Sequence, residues 1–460
     1  LSITDSFNKE KMLEFFNSGA TMPYEFRIKS LKKLKNALFK YQDEIAKAIK
    51  KDFNKSYFET YMTEIMTVKD SLDYMLKNLK YLMKPKKTPT SLLHFKSSSK
   101  VFYEPYGIVL VISPWNYPVN LSLSPLIGAI AAGNCVVVKP SSKTKNTSVV
   151  LEKTIKEIYE PDYVCVIQGS SEATHALINQ NLDYIMFTGS VRAAKEVAKS
   201  ASQYLTPMTL ELGGKSPAVI YGDCNLKNAA QRLTWGKFVN AGQTCIAPDY
   251  LLVEKNVVNP LIKAIKTAIM SFYGEEPLCS DDLASIIDEN NYRRLKSYLS
   301  QGEILFGGRF EDSKRKIEPT ILFNPNLDSN VMKEEIFGPI LPVIAFENSM
   351  QTVEIIRSRA KPLAFYLFTE DKIRMDSYIK SMHFGNGCIN DTLIQFANEN
   401  LPFGGVGNSG MGKYHGRYSF ETFSNIKGIS KKTDKFDIDF RYPPYTDKKF
   451  NMLKYFINRF

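Results

Sequence analysis

Metal-binding and disulfide patterns are missing from this 460-residue sequence. The four histidines, His94, His175, His383 and His415, are far apart, and the six cysteines, Cys135, Cys165, Cys224, Cys245, Cys279 and Cys388, contain no CxxC pair. These absences argue against a zinc ribbon, an HExxH protease and a thioredoxin-type redox pair, so no metal centre is expected. Irregular cysteine spacing in a long chain fits reduced thiols and a cytoplasmic setting. An apolar leader is lacking too, because Asp5, Lys9, Glu10 and Lys11 fall where a secretion signal needs an apolar core. Internal repeats and low-complexity tracts are absent. With 44% apolar and 23% charged residues, the chain is neither mainly disordered nor fibrous.

What is present is a basic excess, 60 Lys+Arg against 48 Asp+Glu, for a net +12. Such an excess invites a nucleic-acid or membrane-surface partner. The lysines are spread over helical stretches, however, with no aromatic-interleaved basic stripe, so no nucleic-acid partner is expected. Ile28, Leu31, Leu34, Leu38, Ile45 and Ile49 follow three-and-four spacing, which predicts a helix over 24–52 with a solvated lysine face. In the tail over 448–460, Phe450, Leu453, Ile457 and Phe460 share one helical face, with Lys448, Lys449, Lys454 and Arg459 around it. That stripe suits peripheral contact with an anionic membrane, or docking on the protein itself or a partner subunit, as short stripes usually do.

The stretch 106–138 holds no charged residue over 33 positions. Pro114, Pro118, Pro125, Asn116, Asn120 and Asn134 interrupt it, which argues against a membrane span, since each buried amide needs a partner. It reads instead as a strand (Ile108–Ile112), a loop, a helix near 122–132 and a second strand (135–138). Runs such as IVLVI and CVVV suit a parallel sheet covered on both faces. Strands at 163–167, 184–187, 208–211 and 218–220 then alternate with helices at 191–202 and 226–240. This pattern predicts a doubly wound α/β fold.

Gly405, Gly407 and Gly410 match GxGxxG, but no strand precedes them and Gly412 breaks any helix after them. The spacing from Gly407 to Gly412-Lys413 nearly matches a phosphate loop, yet Tyr414 stands where Ser or Thr must meet magnesium. Gly214-Lys215-Ser216 fails likewise, with Thr209 in place of the first glycine. The stretch 404–412 reads as an irregular loop. Cys245 stands out differently, in a polar loop after the 226–240 helix, where a thiol can meet substrate. A nucleophilic cysteine needs a group to hold the charge it creates and a base to free the product. Glu211 at a strand end offers a carboxylate, Asn116 on a proline-held loop an amide donor. Lys139, and the glycine turn at Gly189 and Ser190, sit at strand ends where open α/β sheets bind ligands.

Seven ordered blocks resemble the aldehyde dehydrogenases: PWNYP at 114–118, VVVKPS at 136–141, FTGS at 187–190, LELGGKSP at 210–217, GQTCIAPDY at 242–250, EEIFGP at 334–339 and LPFGGVGNSGMGKYHG at 401–416. The GQTCIAPDY run, the glycine-rich ending and the short N-terminus look most like the class 3 branch. The resemblance implies an aldehyde dehydrogenase-like α/β architecture: a Rossmann-type cofactor domain (1–80 and 102–210), a catalytic domain (211–400), a bridging, dimerising element (82–101 and 421–435) and a tail (436–460). It also implies NAD- or NADP-dependent oxidation of medium- or long-chain aliphatic or aromatic aldehydes, small-molecule substrates, by a homodimer.

By motif match, Cys245 is the nucleophile, Asn116 an oxyanion donor and Glu211 the base that activates water. Lys139, Ser142, Gly189, Ser190, Glu335 and Phe337 match cofactor-binding positions. Two departures stand out. Ala194 replaces a second glycine after FTGS, and Ser142, followed by Lys143, replaces an acid that bonds the adenosine ribose. Losing that acid predicts that NADP is accepted at least as well as NAD. The alternative within the family is a CoA-acylating enzyme. Glu211 argues against it, since acyl transfer to a thiol needs no water-activating base.

Overall fold

The computed structural model describes residues 7–91, 94–437 and 439–458, with the side chain of Phe456 left out. Asp5, Phe460 and Arg459, used above, lie outside the described residues. The chain divides into two compact units, Leu1–Met83 with Pro105–Asn425, and Lys84–Glu104 with Ile426–Phe460.

The larger unit contains two main sheets. One has six strands, in the order Gly410–Met411, Met208–Glu211, Tyr184–Thr188, Ile108–Ile112, Cys135–Lys139 and Val164–Val166. All neighbours are parallel except Gly410–Met411, which runs antiparallel to Met208–Glu211. The IVLVI and CVVVK strands are buried at every position, as their unbroken apolar runs require. The strand order reverses between Ile108–Ile112 and Tyr184–Thr188. Open α/β sheets bind ligands outside the strand carboxyl ends at such a reversal. The loop carrying Asn116 leaves the first of these strands, and Gly189 and Ser190 follow the second.

The other sheet has seven strands, in the order Glu303–Phe306, Thr320–Phe323, Ile340–Phe346, Tyr250–Glu254, Pro217–Ile220, Ala364–Phe368 and Asn386–Ile389. Only the Glu303–Phe306 edge is antiparallel to its neighbour. The helix expected over 24–52 spans Tyr24–Phe53. It buries Arg27 while Ile28 stays half-buried. The Arg27 guanidinium donates to Thr21 O at 2.9 Å and Ala131 O at 3.0 Å, so its burial is matched by hydrogen bonds.

The expected 226–240 helix stops at Phe238, and a 3₁₀ turn, Val239–Gly242, follows. The glycine-rich loop is less irregular than expected, because Gly410–Met411 pairs on the sheet edge. Lys86–Thr88, Ser97–Pro105 and Ser424–Lys432 form a three-stranded sheet, most of which lies in the smaller unit. The tail forms a helix, Asp447–Ile457, on which Phe450, Leu453 and Ile457 are exposed rather than packed into a core. Among the described residues no helix is long and apolar enough to cross a membrane.

Candidate active site

The loop before Cys245 is built from unusual backbone. Asn240, Ala241 and Gly242 all have positive φ (55°, 51° and 74°). Asn tolerates this conformation, whereas Ala pays for it, so the surrounding packing must hold Ala241 in place. Gly242 is needed for space as well as for φ. A methyl there would meet the Gly338 carbonyl oxygen at 2.3 Å, so the EEIFGP segment packs directly on this turn. One carboxylate then ties three motifs together. Asp249 pairs with Lys215 of LELGGKSP and accepts from the Ile336 N–H of EEIFGP at 3.0 Å.

PWNYP is tied to the same turn. The Asn116 amide donates to the Gln243 carbonyl at 3.0 Å, and the Asn240 amide donates to the Asn116 carbonyl at 2.9 Å. One Nδ2 hydrogen of Asn116 is thereby committed, which fixes the amide orientation and leaves the other for a ligand oxygen. The Tyr117 and Thr244 hydroxyls meet at 2.6 Å beside it.

Cys245 is half-buried and lines two cavities of different character. The first, about 500 Å³, is also lined by Asn116, Gly189, Ser190, Glu211, Glu335 and Phe337. Among the residues singled out from sequence, this cavity thus gathers every one except Lys139 and Ser142. Those two line a neighbouring cavity of about 470 Å³. Lys143, Phe187, Arg192 and Ala193 line both, so the two form one cleft over the end of the six-stranded sheet. The second cavity at Cys245, about 160 Å³, is walled by Met62, Tyr117, Trp235, Val239, Leu393 and Phe396 among others, and is almost wholly apolar. A further cavity of about 690 Å³ lies beside the site but does not include Cys245.

Electrostatics within the cleft are set by burial. It pushes the Cys245 thiol pKa up, and the nearby Glu335 and Glu211 carboxylates push it further, against the backbone N–H groups of Cys245 and Ile246. Burial likewise raises Glu211 well above the usual carboxylate range, opposed by Lys413. Among the described residues neither Glu211 oxygen has a hydrogen-bond partner. Glu335 is pushed up to about 8 by burial and then by Asp249. Lys139 is brought down to about 8 by burial, and its ammonium donates to the Pro140 and Gly169 carbonyls at 2.9 and 2.8 Å. Ser142 is exposed, and Lys143 beside it is paired with Asp288 at 2.6 Å. Ser190 caps the Val191–Ala201 helix by accepting from the Ala193 N–H, so that helix turns its N-terminus into the cleft. Phe337 has φ 52° and packs edge-on against Trp115.

The chain matches the aldehyde dehydrogenase family over residues 10–429. It belongs to that family. It is 44% identical over 444 residues to the 4,4'-diaponeurosporen-aldehyde dehydrogenase of Staphylococcus aureus, covering 96% of each chain. It is 40% identical to aldehyde dehydrogenase family 3 member A2 of Rattus norvegicus, covering 97% of this chain and 93% of that one. A solved structure of the substrate-bound state of Staphylococcus aureus AldH superposes with a TM-score of 0.94 at 43% identity, over 97% of this chain and 98% of that one. The protein is therefore an NAD(P)-dependent aldehyde dehydrogenase with class 3 relatives, and a nicotinamide cofactor goes with that activity.

Sequence reasoning missed some of the lining. Arg192 borders both halves of the cleft from the first turn of the Val191–Ala201 helix. Its place just after FTGS was a usable signal. Met62, Trp235 and Phe396 come from distant segments, and no local pattern marks them as walls of one tunnel.

Proposed function

We propose that this aldehyde dehydrogenase oxidises medium- or long-chain aliphatic or aromatic aldehydes to carboxylic acids through a thioester on Cys245. The observation that carries this reading is the position of Cys245, between a polar cleft and a narrow apolar tunnel. An alkyl chain or aromatic ring gains about 0.8 kcal/mol for each methylene it buries in such a tunnel. A short, hydrated aldehyde gains little there.

Cys245 adds as thiolate to the aldehyde carbon, giving a tetrahedral thiohemiacetal. The free Asn116 Nδ2 hydrogen and the Cys245 backbone N–H steady its oxyanion. The cleft suits a dinucleotide. The Lys139 and Ser142 cavity takes the adenosine end, the Ser190-capped helix N-terminus takes the pyrophosphate, and Glu335 with Phe337 places the nicotinamide ribose. When bound, the nicotinamide supplies the hydride acceptor that turns the adduct into a thioester. Glu211, with two unpartnered oxygens, takes a proton from water, and that water attacks the thioester carbonyl. The acid leaves and the Cys245 thiolate is released.

The same unpartnered carboxylate disfavours CoA acylation. With Ser142 in place of an acid, the adenosine site does not repel a 2′-phosphate, so NADP is accepted at least comparably to NAD. A homodimer in the cytoplasm belongs to the same proposal and rests on the resemblance. The test follows absorbance of the reduced cofactor, with aldehydes from two to twelve carbons and with benzaldehyde, using NAD and NADP. A kcat/KM that rises with chain length is expected. A preference for acetaldehyde would overturn the substrate reading.

A further inference from the structure

Glu211 poses an electrostatic problem that its own strand does not solve. The carboxylate is 2% exposed, and burial favours its protonated form, which cannot take a proton from water. Among the described residues one cation acts on it, Lys413. The other titratable side chains in electrostatic reach are Cys245 and Tyr414. Both have their pKa raised by burial, so near neutral pH both are uncharged, and neither group can carry a positive charge at any pH.

Lys413 is held in an unusual way. Its ammonium donates to the carbonyls of Gly385 at 3.3 Å, Gly405 at 3.2 Å and, more closely, Gly404. Three acceptors use all three of its N–H donors. Lys413 therefore has no donor left for Glu211, and both Glu211 oxygens stay without a partner. The two side chains nevertheless flank one residue. A methyl on Gly404, whose φ is 154°, would meet Glu211 Oε1 at 2.6 Å and Lys413 Cδ at 2.9 Å. Only glycine lets the strand end and the caged lysine come this close.

We propose that Lys413 is a positioning residue for the Glu211 base: its caged charge favours the ionised carboxylate through space, against burial, and leaves both oxygens free for water. This rests on the reading of Glu211 as the deacylating base. A direct ion pair would also ionise Glu211, but it would occupy an oxygen that the water needs. The carbonyl cage separates those two effects. It also gives the GMGKYHG segment a role in the second half of the reaction.

The test uses the acyl-enzyme formed from p-nitrophenyl acetate, which needs no cofactor. The burst of nitrophenolate counts acylated sites, and the slow phase per site reports hydrolysis. In Lys413→Met and Lys413→Gln the pH inflection of the slow phase is expected to rise by about 1 to 2 pH units. Hydrolysis at neutral pH then slows by about 10- to 100-fold and converges with wild type at alkaline pH. Lys413→Arg is expected to keep the wild-type profile. A slow phase that is unmoved, or lowered equally at every pH, would overturn the proposal. Glu211→Gln, run alongside, keeps the two readings apart. If it hydrolyses its acyl-enzyme at the wild-type rate, the base assignment falls and takes the proposal with it. If it stalls while Lys413→Met keeps the wild-type profile, the proposal for Lys413 alone fails.

Discussion

The two cavities that meet at Cys245 are made in opposite ways. The cleft joins strand ends of the six-stranded sheet, which follow buried apolar runs, to the Cys245 loop, the EEIFGP segment and the Glu289–Tyr298 helix, and most of its residues sit in short motifs. The tunnel is assembled from distant stretches; Tyr117 and the Thr244–Ile246 run lie in quoted motifs, whereas Met62, Trp235, Leu393 and Phe396 lie in none. The cleft is rich in groups whose charge is at stake, while the tunnel has almost none. In the proposed mechanism, chemistry falls on one side of the thiol and shape selection on the other. This division predicts that substitutions on the cleft side change rates for all aldehydes alike, whereas substitutions on the tunnel side change rates according to the aldehyde.

Removing the shared residue should give the largest effect. Cys245→Ser is expected to lower aldehyde oxidation by at least about 10⁴-fold, the scale seen when a catalytic nucleophile is lost. Cofactor affinity, read from quenching of protein fluorescence, should stay near wild type, because the adenosine cavity does not include Cys245. Near-normal turnover would move the chemistry to another cysteine. Next comes the oxyanion donor: Asn116→Ala should cut kcat by about 10²- to 10³-fold for short and long aldehydes alike. A loss that depended on chain length would place Asn116 on the tunnel side of the comparison.

On the tunnel side, Ala397→Trp narrows the wall near Phe396. If four methylenes are denied burial, about 3 kcal/mol is lost, or roughly 200-fold in kcat/KM for a long aldehyde. Acetaldehyde should be unaffected, and a uniform loss across the panel would erase the division of labour. The smallest change lies at the far end of the cleft. Ser142→Glu should turn the cofactor preference toward NAD by about fivefold, the effect of roughly 1 kcal/mol. Lys143 is already paired with Asp288, which reduces the charge it offers a phosphate and keeps this effect modest. Wild-type kcat/KM favouring NAD by about a hundredfold would show that the serine does not relax the site.

The same contrast explains what could be read from sequence. The strands at Ile108–Ile112 and Met208–Glu211 were expected with these bounds; for Ile108–Ile112 the reason is that a strand buried on both faces is a local apolar run. The residues at their ends followed, since the sheet places them. The helix before Cys245 was expected to reach Asn240 but ends at Phe238. Its stop depends on a left-handed turn pressed against the Gly338 carbonyl, a contact made only in the folded chain. Lys413 stood inside a quoted motif, yet its relation to Glu211 needs Gly404 and Gly385 to be brought together, which no spacing records. The tunnel walls left no periodic trace at all.

The antiparallel strand Gly410–Met411 has a consequence for the order in which the protein is completed. Gly410 is the register partner of Glu211, and Ser409 receives the Leu212 N–H at 3.1 Å. The edge of the sheet that carries Glu211 therefore stays open while the ribosome makes the intervening chain. Cys245 and the residues that line the polar cleft are all synthesised before Gly410. During synthesis Cys245 is made before the segment that cages Lys413 beside Glu211. Such long-range pairing is also slow to form, because its loop must close before any contact rewards it.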